Sequence, residues 1–122
     1  MPRDSKQVRE EDRVRLTHML ESAQRAVRIA SGMTEQSLGA DEVRLLAVVK
    51  SIEIVGEAST KVSDETCARL TSIPWRAIRA ARNRMVHGYD SIDVAIVWRT
   101  IVDHLPPLIH AIEEAIASWP EA

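Results

Sequence analysis

Between Asp41 and Thr60 the chain reads DEVRLLAVVKSIEIVGEAST, and its periodicity decides the fold class. Leu45, Val48, Val49, Ile52 and Val55 recur at steps of three and four, which places them on one face of an α-helix. Asp41 stands where an N-cap carboxylate belongs. Gly56 prolongs the apolar stripe without a side chain, so a second helix is expected to approach closely there.

The same period extends outward in both directions. Upstream, Leu16, Leu20, Ala23, Val27 and Ala30 mark a helix from about Lys6 to about Ser31, with Asp4 or Ser5 as cap and Gly32 as stop. Gln36 to Ala40 reads as a loop. Downstream, a short helical turn is expected over Asp64 to Leu70. Ser72-Ile73-Pro74-Trp75 then opens a helix, with proline near its first position. That helix should run to about His87 and end at Gly88, a natural left-handed terminator. Asp90 or Ser91 can cap the next one, whose apolar positions are Ile92, Ala95, Ile96, Ile101, Val102 and Leu105. Pro106-Pro107 should interrupt it, because each proline removes a backbone donor. A last helix carries Leu108, Ile109, Ile112, Ile116 and Trp119. The expectation is an all-α protein: a small antiparallel up-and-down bundle of four to five helices with short connections.

Composition narrows the class further. A chain of 122 residues is most simply one domain. Its start, Met1-Pro2-Arg3-Asp4-Ser5, has no apolar core of the kind a secretory signal needs. No apolar run approaches the roughly 20 residues that span a bilayer. Cys67 is the sole cysteine, so a disulfide framework is excluded and a reducing cytoplasm is the expected setting.

The formal charge of −2 does not suggest a nucleic-acid binder, but its distribution does. From Trp75 to Tyr89 the chain carries Arg76, Arg79, Arg82 and Arg84 and no acidic residue; without these four arginines the formal charge would be −6. A basic patch on an acidic body points to an anionic ligand. Within it, Arg82-Asn83-Arg84-Met85-Val86-His87-Gly88-Tyr89 gathers guanidinium, amide, imidazole and the only phenol of the protein. Asn83 and His87 are four apart and share a helix face, with Arg79 four residues earlier on the same face. Tyr89 falls just beyond the glycine and can fold back over the helix end.

RNA cleavage without a metal needs a base for the 2′-hydroxyl, an acid for the leaving oxygen and a cation for the phosphorane. His87 suits the first two roles, since imidazole titrates near neutrality. Arg82 suits the third, with Arg79 or Arg84 to position phosphates and Asn83 to steady the imidazole. One histidine cannot act as acid and base at once, so a two-fold dimer sharing one cleft is expected. The apposed arginines would repel, and phosphate ligands should tighten such a dimer.

Other residues carry plainer readings. His18, His104 and His110 read as surface or partly packed, Cys67 as core, and Trp75, Trp98 and Trp119 as packing side chains. Glu57 pairs naturally with Lys61 one turn on. No residue set has convincing metal-ligand spacing, and no cofactor is expected. Nor does the chain show a glycine-rich phosphate loop or a defensible Ser-His-Asp set.

Arg82-x-x-x-x-His87-x-Tyr89 resembles the signature of the HepT-like toxins of the HEPN superfamily. Arg15-Leu16 through Met19-Leu20-Glu21, Ile52-Glu53-Ile54-Val55-Gly56-Glu57-Ala58 and Ile73-Pro74-Trp75 fit the same pattern, as do Val97-Trp98 and Leu105-Pro106. The resemblance covers nearly the whole chain. It implies a dimeric helical bundle that cleaves RNA without metal, encoded beside a small nucleotidyltransferase antitoxin. It also implies that Arg82 and His87 form the ribonuclease pair, that Asn83 is the polar residue between them, and that Tyr89 accepts AMP from the partner enzyme. Two other readings stand beside it. One is a binding subunit that presents nucleotide or substrate to a nucleotidyltransferase and cuts nothing; the other is a purely structural helical dimer.

Overall fold

A computed structural model describes residues 3–86 and 91–120, apart from the side chain of Arg82. The expected ends of the Arg82 helix at His87 and Gly88, and the cap at Asp90, lie outside the described residues. The protein is all-helical: α1 (Ser5–Ala30), α2 (Glu35–Ala40), α3 (Glu42–Ser59), α4 (Asp64–Arg69), α5 (Trp75–Met85), α6 (Val94–Arg99) and α7 (Leu105–Ala117), with a π-helical turn over Thr100–His104 joining the last two.

Each helix begins as its local chemistry dictates. Asp4 accepts from the backbone N–H of Gln7, whose side chain accepts in turn from the Asp4 N–H at the start of α1. Asp41 accepts from the Arg44 N–H and caps α3 as expected. Gly32 follows α1 with φ of 79°, a left-handed conformation suited to glycine.

The core forms where α1 lies antiparallel against α3, the most extensive pairing in the molecule. Leu16, Met19, Ala23, Ala26 and Ala30 of α1 are buried against Leu45, Val48, Val49, Ile52 and Val55 of α3. Burying one such leucine or valine contributes about 1.5–3 kcal/mol. Helix α7 also packs on α1 and adds Leu105, Leu108 and Ile112 to the core. Helix α5 packs on α3 at the expected glycine: a Cβ on Gly56 would stand 3.3 Å from the Ile78 carbonyl oxygen.

Asp12 holds the opposite end of α1 to α4. Although 2% exposed, its carboxylate accepts from the Ser63 N–H (2.9 Å), the Ser63 hydroxyl (2.6 Å) and the Thr66 hydroxyl (2.6 Å). Those bonds offset the cost of burying its charge.

Three expectations from sequence are corrected. Gln36 to Ala40 is not a loop but part of α2, where Thr34 and Ser37 cap each other and Leu38 is fully buried. The cap of α6 is not Ser91 but Asp93, which accepts from the Ile96 N–H at 3.2 Å. Pro106-Pro107 does not interrupt the helical path from Val94 to Ala117. Immediately before the prolines the helix widens, and the Leu105 N–H reaches back five residues to the Thr100 carbonyl. The prolines then occupy the first turn of α7, where their missing donors cost least. In that segment Ala95 and Val102, counted as apolar positions, are exposed, whereas Val97, Ile101 and Leu105 are buried.

Candidate active site

The basic motif begins on the last turn of α5 and continues past its end. Met85, fully buried, anchors that end in the core. Val86 forms an isolated antiparallel bridge with Ile92, and the Asp93 N–H donates to the Met85 carbonyl at 2.8 Å. The chain therefore leaves α5 and returns to α6 at one clamped point. His87 and Tyr89, assigned as catalytic residue and AMP acceptor, lie outside the described residues, as does the side chain of Arg82.

Asn83 and Arg84 are exposed on the terminal turn of α5. The helix carries four arginines, Arg76, Arg79, Arg82 and Arg84, and no carboxylate. Among the described residues Arg84 has no ion-pair partner.

Arg79 is placed differently. Its Nη2 donates to the Ser59 carbonyl at 2.9 Å, at the C-terminus of α3, where a cation meets the negative end of the helix dipole. It also lies 3.4 Å from the Cys67 sulfur and 5.8 Å from the centre of the Trp75 ring. Three elements thus meet at this guanidinium, which fixes the roll of α5 against α3 and α4. Burial pushes the Cys67 thiol above its ordinary value, with Arg79 opposing. Trp75 donates from its indole nitrogen to the Leu70 carbonyl at 3.1 Å and belongs to the packing.

The remaining histidines are all exposed, with His110 2.8 Å from Glu114. Glu57 is exposed on α3. Sequence reasoning missed two residues that shape this end of the molecule. Asp93 ties the start of α6 to the end of α5, and Asp12 secures α4, which in turn meets Arg79 through Cys67. The signal for Asp12 was legible, since it falls four residues before Leu16 on the buried stripe of α1.

An all-helical bundle with an arginine-rich, carboxylate-free helix that precedes His87 and Tyr89 in the sequence defines the class. The chain belongs to the HepT-like ribonuclease family, whose description, "Ribonuclease HepT-like", matches residues 19–115. Among curated relatives, it is 28% identical over 101 residues to "Putative RNase TTE0752" of Caldanaerobacter subterraneus subsp. tengcongensis, covering 83% of this chain and 90% of the relative. It is 32% identical over 68 residues to "Probable ribonuclease HepT" of Thermococcus cleftensis, covering 56% of this chain and 62% of that one. A Methanocaldococcus jannaschii protein, "Putative RNase MJ0127", is 27% identical over 101 residues, with 83% and 84% covered. No solved structure matches the chain. Among the described residues no helix is long and apolar enough to cross a membrane.

Proposed function

We propose that this protein is a metal-independent ribonuclease toxin that cleaves RNA as a two-fold dimer, with Arg82 and His87 as the catalytic pair. A neighbouring nucleotidyltransferase antitoxin silences it by adenylylating Tyr89. The observation that carries the reading is the position of the motif: it opens on the carboxylate-free terminal turn of α5, in a chain of the HepT-like ribonuclease family.

The chemistry follows from the residues. One His87 imidazole takes the 2′-hydroxyl proton, and the 2′-oxygen attacks phosphorus. The bond to the 5′-oxygen breaks as the second subunit's imidazolium delivers a proton to it. Arg82 stabilises the extra charge of the phosphorane. Phosphate positioning falls to Arg84 rather than Arg79, whose guanidinium is already engaged by Ser59 and Trp75. AMP on Tyr89 would place a phosphodiester and a nucleoside beside the arginines. Tethering gives this mimic a high effective concentration, so it competes with RNA by charge and bulk.

The test is cleavage of total RNA in excess chelator by wild type and His87→Ala, with folding checked by circular dichroism. Loss of cleavage in a folded His87→Ala protein is expected. Equal cleavage by both, or none by wild type, would refute the catalytic assignment and leave a binding subunit or a structural dimer. Tyr89→Phe should still cleave yet resist the antitoxin. Continued adenylylation of that variant would move the acceptor elsewhere.

A further inference from the structure

A cleft opens on the flank of α5 that carries Arg84. Ala77, Ala81 and Arg84 form one wall, recurring at the four- and three-residue steps of a single helix stripe. Ile96, Thr100 and His104 form the other, from α6 through the π-helical turn. Buried side chains of α3 and α7, among them Ile52, Val55 and Leu105, make the floor. The cleft encloses about 110 Å³, less than the about 300–1,000 Å³ of a complete small-molecule site, so it can take one part of a ligand while the rest stays outside. The small side chains that α5 presents there, Ala77 and Ala81, leave room for it.

Its chemistry is one-sided. Arg84, Arg99 and His104 line it, and no acidic side chain does among the described residues. Neither arginine has an ion-pair partner among those residues. The Thr100 hydroxyl donates to the Ile96 carbonyl at 2.8 Å, which leaves its oxygen free to accept a hydrogen bond. An apolar slot beneath unpaired cations is complementary to an anion with a flat or apolar body. Arg84 also belongs to the turn of α5 that carries Arg82 and Asn83.

We propose that this cleft is a nucleotide subsite of the RNA-cleaving centre. The base of a nucleotide next to the cut enters between Ala81 and Ile96, and its phosphate is held by Arg84 and Arg99. A base stacked in a duplex cannot enter, so the substrate is RNA with unpaired nucleotides, a loop or a single-stranded end. This inference rests on the ribonuclease reading but is tested without turnover.

The experiment titrates the full-length protein with each nucleoside 5′-monophosphate, with ribose 5-phosphate and with inorganic phosphate. Binding is followed through the amide signals of Ile96, Arg99 and Thr100. Nucleotides should shift these signals and bind about tenfold more tightly than ribose 5-phosphate, as expected for burying about 50–60 Å² of base surface. Ala81→Leu, which fills the slot, should abolish that advantage. Ala77→Leu, on the more exposed part of the same wall, does the same should Ala81→Leu fail to fold. Arg99→Gln should weaken nucleotide and ribose phosphate alike. Equal binding of nucleotide and ribose 5-phosphate overturns the proposal, as does an advantage that survives both leucines. Signals that follow protein concentration and ignore nucleotide overturn it too, by assigning the cleft to a second copy of the chain. Nucleotide binding without RNA cleavage would keep the subsite and remove the ribonuclease reading; cleavage without nucleotide binding would do the reverse.

Discussion

The Asp93 amide donates to the Met85 carbonyl at 2.8 Å, joining the last residue of α5 to the cap of α6. The Val86–Ile92 bridge adds a second tie between the same two elements. The Asp93 side chain fixes the geometry by accepting from the Ile96 N–H. Asp93→Ala removes that cap and should cost about 1 kcal/mol of stability. Because Asp93 stands where α6 is joined to the end of α5, cleavage should fall by about tenfold or more, since small misplacements of catalytic groups are costly. Asp93→Ser, which can still cap, should recover the share of stability that belongs to the cap. Parallel thermal melts and RNA-cleavage assays check this; Asp93→Ala with unchanged activity would separate the Asp93 side chain from catalysis.

Asp12 should be among the most sensitive polar positions. Asp12→Ala strands the Ser63 and Thr66 donors in a buried site, and the expected loss is about 2–4 kcal/mol. For a chain of this size that corresponds to a fall in Tm of roughly 10 °C. Calorimetry or chemical denaturation measures it. A loss under about 1 kcal/mol would mean that water replaces the carboxylate.

Gly56 tests the close approach of α3 and α5. An added Cβ would meet the Ile78 carbonyl oxygen at 3.3 Å, tight but near tolerance. Gly56→Ala gains helix propensity of about 1 kcal/mol and loses part of it to this contact, so its midpoint should stay near wild type. Gly56→Leu cannot be absorbed and should cost about 2–3 kcal/mol by forcing the helices apart. Denaturant midpoints at unchanged m-value decide the point.

Cys67 should be a sluggish thiol. Its burial raises the pKa and outweighs the opposing Arg79 guanidinium, so less thiolate is present at mildly alkaline pH. Alkylation of the folded chain should be slower than that of the unfolded chain, with a midpoint above the ordinary thiol value of about 8.5. The same shift makes stability fall as pH rises from the unfolded thiol value through the folded one. Iodoacetamide labelling across pH, folded and in denaturant, provides the measurement; equal rates would contradict it.

The long amphipathic helices were legible because their apolar spacing is strict: Leu45 through Val55 and Leu16 through Ala30 point to one face whatever they pack against. Shorter elements were not. Helix α2 carries Gly39 and resembles a loop in sequence, because six residues are too few for periodicity to register and the fully buried Leu38 decides their state. Asp93 replaced Ser91 as a cap because the bridge between Val86 and Ile92 delays the start of α6. Arg79 shares a face with Asn83, yet its side chain turns to Ser59, a carbonyl 20 residues away.

From the sequence alone came the helical class, the close approach of another helix at Gly56 and the gathering of cation, amide, imidazole and phenol on one short segment. These are local properties, set by the 3.6-residue period and by side-chain chemistry at fixed spacing. Tertiary structure decided what distant residues do together: that Asp12 secures α4, that Arg79 is committed to α3, and that Arg99 and His104 stand across a cleft from Arg84. Such meetings depend on how helices roll and cross when their apolar faces are buried, and residues far apart in the chain carry no local pattern that announces them.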